Sequence, residues 1–333
     1  MSKAKSDHSS ISLADQGSRS STRVPTEGRI GFVGLGHMGT AMAANLVAAG
    51  REVIGYVRRR EQAGNLMTLG LKATTNLIDL FDCEIVVSML PDDHAVREIV
   101  YGRADLGADG LARGLMPGAI HLSMSTISTA TAVELARAHA QCSQGYVAAP
   151  VFGNPDAAKT RDLFIIAAGA TADIERCRTI FDTLGQRTFL VGSDPATANL
   201  IKLAGNAMSA AGLEILSEVL ALARRRNLDP RQLLTILTET MHGSRLNKIY
   251  GEKIAGQQFE PGNFTFPLAL MDISLALNEA ETAGVPMPSI SVVRDRLITG
   301  IARGYSQCDW SALGLLAAEE AGLICGPAKT RVT

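Results

Sequence analysis

Ile30-Gly31-Phe32-Val33-Gly34-Leu35-Gly36-His37-Met38-Gly39 reads as a short apolar strand running straight into a glycine turn. An apolar helical stretch follows over residues 41–49, then a second strand over 52–57, then Arg58-Arg59-Arg60. The G-x-G-x-x-G spacing says little alone in a chain with 32 glycines among 333 residues, but between a strand and a helix it says much. Gly34 permits the tight turn, Gly36 lets backbone approach a pyrophosphate, and Gly39 lets the helix pack closely on the strand. The helix start offers phosphates its unpaired N–H groups and the positive end of its dipole. A dinucleotide-binding βαβ unit is implied, with Gly34, Leu35, Gly36, His37, Met38 and Gly39 as its cofactor contacts.

The residues after the second strand choose the cofactor. A site for NAD places Asp or Glu about 20 residues on, to accept from the ribose 2′-OH. Here the region is Tyr56-Val57-Arg58-Arg59-Arg60, with no carboxylate before Glu61. A guanidinium fork matches a 2′-phosphate and gains little from a bare hydroxyl. NADP is the expected cofactor, with Arg58 and Arg59 as its partners. The plainer reading of the same residues is a solvated basic loop.

Outward from this unit, residues 29–192 keep alternating strands and helices. Apolar strand runs lie at 84–89, 119–123, 146–148, 163–168 and 188–191, with helical patterns such as 92–100 and 128–142 between them. Ser128 is placed to cap the latter. Such alternation predicts a parallel sheet covered on both faces. At Gly192-Ser193-Asp194-Pro195 the character changes. A long helical pattern over 198–227 is followed by shorter ones at 231–241, 267–283, 289–303 and 311–322. The expected class is α/β: a Rossmann-type domain over 29–194, then an all-helical domain over 195–325. Leu213, Leu216 and Leu220 on the long helix suit either their own domain or a second subunit, and a homodimer is the expected assembly.

Composition sets outer bounds. Hydrophobic residues make up 46% and charged residues 20%, as in ordinary globular proteins. A formal net charge of −1 argues against nucleic acid as the main partner. No apolar run approaches the roughly 18 residues of a membrane span, so no membrane partner is expected. The cysteines (Cys83, Cys142, Cys177, Cys308, Cys325) are scattered without metal-ligand spacing. No metal is expected, Cys83 and Cys177 read as small buried hydrophobes, and a cytoplasmic location fits. Residues 1–28 carry almost no large apolar side chains and are expected as a disordered tail, as are 326–333. The N-terminal stretch lacks the apolar core of a secretory signal.

Phe32 to Gly39, followed by Met42-Ala43 and Asn45-Leu46, resembles the opening of the β-hydroxyacid dehydrogenases, relatives of 6-phosphogluconate dehydrogenase. The resemblance spans residues 29–323. It implies that Met89-Leu90-Pro91 lines the nicotinamide side and that Ser125-Thr126 lies beside cofactor and substrate. It also implies that Lys202 is the catalytic lysine and Asn206 the substrate-orienting asparagine. Residues four apart share a helix face, so both side chains could address one substrate atom. A hydride arriving at a carbonyl carbon leaves alkoxide character on oxygen, which a nearby ammonium stabilises and protonates. Read alone, Lys202 would better suit an interdomain structural lysine; the dinucleotide motif and the family register favour the catalytic one.

Three departures from the family pattern stand out. Where the family has Asp-Ala-Pro-Val-Ser-Gly-Gly, this chain reads Ala148-Ala149-Pro150-Val151-Phe152-Gly153-Asn154. Phe152 removes a hydroxyl and adds a ring; Asn154 replaces the second glycine beside Gly153. The family's Lys-Asp pair appears as Met271-Asp272, the resemblance placing Asp272 with the cofactor. A larger or less anionic carbonyl or hydroxy compound is therefore expected, with Phe152 and Met271 as pocket wall. His37 and His242 are weaker candidates for the site. An NADPH-dependent imine reductase and a non-catalytic dinucleotide-binding module remain as alternatives, and Lys202 argues against both.

Overall fold

The computed structural model describes residues 26–103, 108–260, 262 and 264–323. The α/β half comprises β1 (Thr26–Val33), α1 (His37–Ala48), β2 (Glu52–Tyr56), α2 (Ala63–Thr68), β3 (Lys72–Thr74), β4 (Cys83–Ser88) and α3 (Asp93–Tyr101). It continues through β5 (Gly102–Arg103), β6 (Ala108–Asp109), α4 (Leu111–Gly114), β7 (Ile120–Ser123), α5 (Thr129–Gln141) and β8 (Gly145–Ala148). It ends with β9 (Val151–Phe152), α6 (Pro155–Lys159), β10 (Leu163–Gly169), α7 (Thr171–Leu184) and β11 (Gly185–Leu190). The strand starting at Thr26 takes in the last three residues of the expected tail. Calls on residues 1–25 and 326–333 lie outside the described residues.

Strand order across the main sheet is β11-β10-β8-β7-β4-β1-β2-β3, with β9 attached to β10. The six strands from β8 to β3 are parallel. Covered on both faces, they read as continuous apolar runs, and in β4 only Glu84 is not buried. The parallel expectation fails for the last two strands: β10 runs antiparallel to β8, and β11 follows β10. The chain after β8 folds back as β9, which pairs antiparallel with β10, and a five-residue helix. A returning connection of that kind re-enters the sheet from the opposite end, where a crossover would not.

Because β2 and β3 lie to one side of β1 and β4 to the other, the strand order reverses between β1 and β4. In open α/β sheets the crevice beyond the carboxyl ends of the strands at such a point holds the ligand. Both the glycine turn after β1 and the Met89-Leu90-Pro91 loop after β4 open there.

The helical half comprises α8 (Pro195–Arg225), α9 (Pro230–Thr240), α10 (Arg245–Gly256), α11 (Phe266–Thr282), α12 (Pro288–Ala302) and α13 (Leu313–Glu320). Two Asp-Pro pairs start helices: Asp194 accepts from Ala196 N and Asp229 from Arg231 N, each with proline in the first turn. Leu213, Leu216 and Leu220 are buried in the helical core with Phe266, Ile273 and Trp310, which settles the side they face. By length and composition α8 could span a bilayer, yet more than half of that window is buried inside the fold. Helix α10 was not expected. It buries only Gly251, Ile254 and Ala255, too narrow a stripe to show in the pattern, although Ser244 caps it.

Candidate active site

At the switch point the glycines do three different jobs. Gly34 has φ +89°, and a Cβ there would sit 2.2 Å from the Met89 carbonyl oxygen, so no side chain fits between the two loops. A Cβ at Gly39 would come within 2.0 Å of the Gly34 carbonyl oxygen, because α1 starts at His37, inside the motif. A Cβ on Gly36 would meet nothing within 4 Å, which leaves the backbone bare toward open space. Gly36 caps α1 and its carbonyl takes the first helical bond, from Thr40 N. The N–H groups of the first turn are thus available to an anion.

A cleft of about 450 Å³ continues from this turn, lined by Gly34, Gly36, Arg58, Arg59, Leu90 and Pro91 among others. These residues fit a dinucleotide: bare backbone at a helix start for the pyrophosphate, apolar walls, and guanidinium groups at the far end. Arg58 is exposed and pairs with Glu98 at 2.8 Å. Arg59 is exposed and makes no side-chain hydrogen bond or ion pair among the described residues. His37 is exposed and Met38 packs on the sheet core.

The loop after β4 is pinned from below. Met89 N donates to the Val33 carbonyl at 2.9 Å, and Leu90 N to Ser125 Oγ at 2.8 Å. Ser125 is fully buried. Its hydroxyl positions the Leu90 backbone, whereas the family resemblance places Ser125 beside cofactor and substrate. Thr126 beside it is half-buried, and its hydroxyl makes no hydrogen bond among the described residues.

One apolar cluster joins Leu90, Phe152 and Ala198, the last being one turn before Lys202 on α8. Here the second half of the site begins. Lys202 and Asn206 are each 8% exposed, and Asp272 of α11 is 2% exposed. Lys202 Nζ donates to Asn206 Oδ1 at 3.0 Å, and Asn206 Nδ2 donates to Asp272 Oδ2 at 2.5 Å. Burial pulls the Lys202 ammonium down to about 8, opposed by the Asp272 carboxylate. Burial likewise pushes Asp272 up to about 6, against the pull of Lys202 and the hydrogen bond from Asn206. An amine titrating near 8 can give a proton and take one back around neutrality.

Phe152 fills the place of the family serine and lies over the ammonium, its ring centroid 4.7 Å from Lys202 Nζ. Room for the ring comes from Gly205, where a Cβ would stand 2.4 Å from Phe152 Cζ. Gly153 is exposed. Asn154 caps α6, its Oδ1 accepting from Ala157 N at 2.9 Å, so its side chain is committed there. Met271 is half-buried and lies about 100° around α11 from Asp272, off the face that meets Asn206. His242 is exposed in the α9–α10 turn.

Two features of the buried polar residues are not in the sequence pattern: the bond between Asn206 and Asp272, and a histidine chain. Asp272, which the family resemblance assigns to the cofactor, meets Asn206, 66 residues away on another helix. Ser88, His121, His139 and Gln144 form a buried hydrogen-bonded chain. The Lys202–Asn206 spacing marked one end of the first, and nothing local marked the second.

Residues 29–192 match the family model described as the NAD binding domain of 6-phosphogluconate dehydrogenase. Residues 196–316 match that of the NAD-binding domain of NADP-dependent 3-hydroxyisobutyrate dehydrogenase. The chain is 36% identical to the uncharacterized oxidoreductase YfjR of Bacillus subtilis over 286 residues, covering 86% of this chain and 98% of that one. It is 31% identical to the 2-hydroxy-3-oxopropionate reductase of Escherichia coli, covering 86% and 95%. Its fold superposes on 3-hydroxyisobutyrate dehydrogenase from Salmonella typhimurium with a TM-score of 0.78 at 21% identity, over 86% and 99% of the chains. An imine reductase from Pseudomonas sp. superposes with a TM-score of 0.57 at 18% identity, over 88% and 99%. The chain belongs to the β-hydroxyacid dehydrogenase family and is an NAD(P)-dependent oxidoreductase acting on CH–OH groups.

Proposed function

We propose that this member of the β-hydroxyacid dehydrogenase family interconverts a small carbonyl and hydroxy compound with NADP, Lys202 serving as proton donor and acceptor. The observation that carries the reading is the Lys202–Asn206–Asp272 chain: a buried ammonium, held at 3.0 Å by a side chain four residues on, beside a dinucleotide crevice. When bound, the dinucleotide supplies or accepts the hydride. Lys202 gives its proton to the oxygen as the carbonyl is reduced, and takes one from the hydroxyl in the reverse direction. Asn206 retains a second amide N–H and a second acceptor lone pair with which to orient the substrate. The choice of NADP rests on Arg58 and Arg59 in the cleft and on a sequence after β2 with no carboxylate before Glu61.

Phe152 supports the view that the substrate is larger or less anionic than a short hydroxyacid. Its ring covers one face of the ammonium, where a carboxylate would meet an apolar edge instead of a hydroxyl. Thr126, Gly153 and Asn154 are the remaining residues assigned to this wall, while Met271 stands off the face on which Asp272 meets Asn206.

The assembly we propose is a homodimer along α8. Ile201, Met208, Ile215 and Leu222 recur every seventh residue and are 36%, 80%, 61% and 60% exposed. One exposed apolar stripe on one helix face is what a second copy would cover. A cytoplasmic setting is supported by Cys83, Cys142, Cys177 and Cys308, all unpaired. The formal charge of −1 and the α8 burial support a protein working without nucleic acid or membrane.

The test is NADPH oxidation across a panel of aldehydes, ketones, 2- and 3-oxoacids and cyclic imines, with wild type and Lys202→Ala. The expected result is carbonyl reduction that falls by about 10²- to 10⁴-fold in the variant while NADPH still binds. Turnover of imines alone, or an indifferent variant, would remove Lys202 from its role.

A further inference from the structure

We propose that Asp272 is a positioning residue of this site: through the Asn206 amide it fixes the direction of the hydrogen-bond chain, making Lys202–Asn206–Asp272 one proton-handling unit. The inference rests on the reading of Lys202 as the proton donor and adds to it a residue on a different helix.

Hydrogen-bond chemistry leaves the chain one orientation. An ammonium can only donate and an ionised carboxylate can only accept. Asn206 lies between them, its Oδ1 accepting from Lys202 and its Nδ2 donating to Asp272. Neither end tolerates the amide flipped, since Nδ2 would then face an ammonium and Oδ1 a carboxylate. The single rotamer left presents a known N–H and lone pair to a substrate and holds Nζ at a fixed height above the Phe152 ring. Preorganisation of this kind costs no reorganisation when the proton moves.

The fold has no need of this carboxylate. Asp272 is 2% exposed, and its Oδ1 makes no hydrogen bond among the described residues. A buried carboxylate with half its acceptor capacity unused is destabilising, and an apolar residue would pack α11 on α8 better. What offsets the cost is the neighbouring cation: Asp272 favours the ammonium form of Lys202 against burial, and Lys202 favours the carboxylate form of Asp272.

Several other charges on elements packed around α8 are held by partners of their own. Glu279 of α11 accepts from Thr129, and Glu214 of α8 pairs with Arg296 of α12. On α5, Glu134 pairs with Arg97, and His139 bonds to His121 and Gln144. Lys253 of α10 pairs with Asp309, and Glu319 and Glu320 of α13 pair with Arg303 and Arg296. Asp272 is the charge that acts on Lys202.

Asp272→Asn keeps the shape and removes the charge. Two readouts follow the ammonium: the high-pH limb of kcat for carbonyl reduction, and the pH dependence of Lys202 acylation followed by mass spectrometry without substrate. In the variant both should move down from about 8 by roughly one pH unit or more, a tenfold drop in ammonium at a given alkaline pH. KM for NADPH should stay within about twofold, since the dinucleotide crevice is elsewhere. Asp272→Glu keeps the charge and should leave the limb in place while kcat falls. A limb and an acylation curve unmoved in Asp272→Asn would overturn the proposal, as would Asp272→Glu moving them equally far. Loss of activity in Lys202→Ala with an unmoved Asp272→Asn curve fails this inference alone. An active Lys202→Ala fails the underlying reading, while the acylation curve still reports on Asp272.

Discussion

Around Gly34 to Gly39 the protein meets its ligand with bare backbone, whereas around Lys202 it does so with three side chains drawn from two helices. The first region is shaped by exclusion: a Cβ at Gly34 or Gly39 would strike main chain within 2.2 Å, and at Gly36 it would enter open space. The second is shaped by charge, with an ammonium and a carboxylate buried on either side of one amide. A backbone site needs particular residues at particular spacings, so it tolerates almost no substitution. A side-chain site needs particular groups in space, and their spacing in sequence is free wherever two elements meet.

Alanine at Gly34 and at Gly36 separates two requirements that the motif writes with one letter. Gly34→Ala must adopt φ near +89° and push against the Met89 carbonyl. We expect a loss of about 3 kcal/mol or more in urea unfolding, with dinucleotide binding lost as well. Gly36→Ala has a backbone (φ −80°) that alanine adopts, and space around it. Its stability should stay within about 0.5 kcal/mol of wild type, while NADPH affinity falls about tenfold or more because the methyl stands where a pyrophosphate would lie. Normal NADPH binding by Gly36→Ala would show that the phosphates take another path.

This difference in materials explains what could be read in advance. The glycine turn, the helix after it and the change of character at Gly192-Ser193-Asp194-Pro195 are local, and the chain spells them out. Lys202 and Asn206 share a helix face four residues apart, so their pairing was legible once the family register was known. Asp272 was legible only as part of a motif, and its motif pointed to the cofactor. Its bond to Asn206 depends on how α11 crosses α8, which no window of sequence contains. Phe152 read as a lost hydroxyl and an added ring in the pocket wall; that Gly205 makes room for that ring over Lys202 is a fact of packing. The reversal of β10 was hidden for the same reason, since an apolar run does not record its direction.

At the distal end of the crevice the protein changes material again, from backbone to guanidinium. Arg59 is exposed in the cleft, while Arg58 is held by Glu98 at 2.8 Å. Arg59→Ala should therefore raise KM for NADPH by roughly tenfold or more, in keeping with about 1.5–3 kcal/mol for a charge-assisted hydrogen bond. KM for NADH should hardly change, and Arg58→Ala should have a smaller effect than Arg59→Ala. Equal losses with both cofactors would mean that the arginines serve the fold and not a 2′-phosphate.

The smallest expected effect tests what lies under the point where the two regions meet. Gln144 Nε2 donates to the carbonyls of Leu115 at 2.7 Å and Ala112 at 3.2 Å, so its Oε1 must accept from His139 Nδ1. His139 Nε2 then accepts from His121 Nδ1, and His121 Nε2 from Ser88 Oγ. Both rings are neutral and buried, and the chain they form reaches β4 through Ser88, the residue before Met89. Burial holds His139 down to about 4 and His121 well below its ordinary 6.5, the latter helped by its histidine neighbour. Folded-state values below the unfolded one mean that the stability is fully present above about pH 6.5. It is lost as pH falls, because the unfolded chain takes up protons that the fold refuses. Between pH 7 and pH 6 the pair should lose roughly 1 kcal/mol of unfolding free energy, growing toward pH 4. In His139→Gln the loss over that interval should be about half. A wild type whose stability is flat from pH 7 to pH 5 would mean that the two rings carry a proton inside the fold.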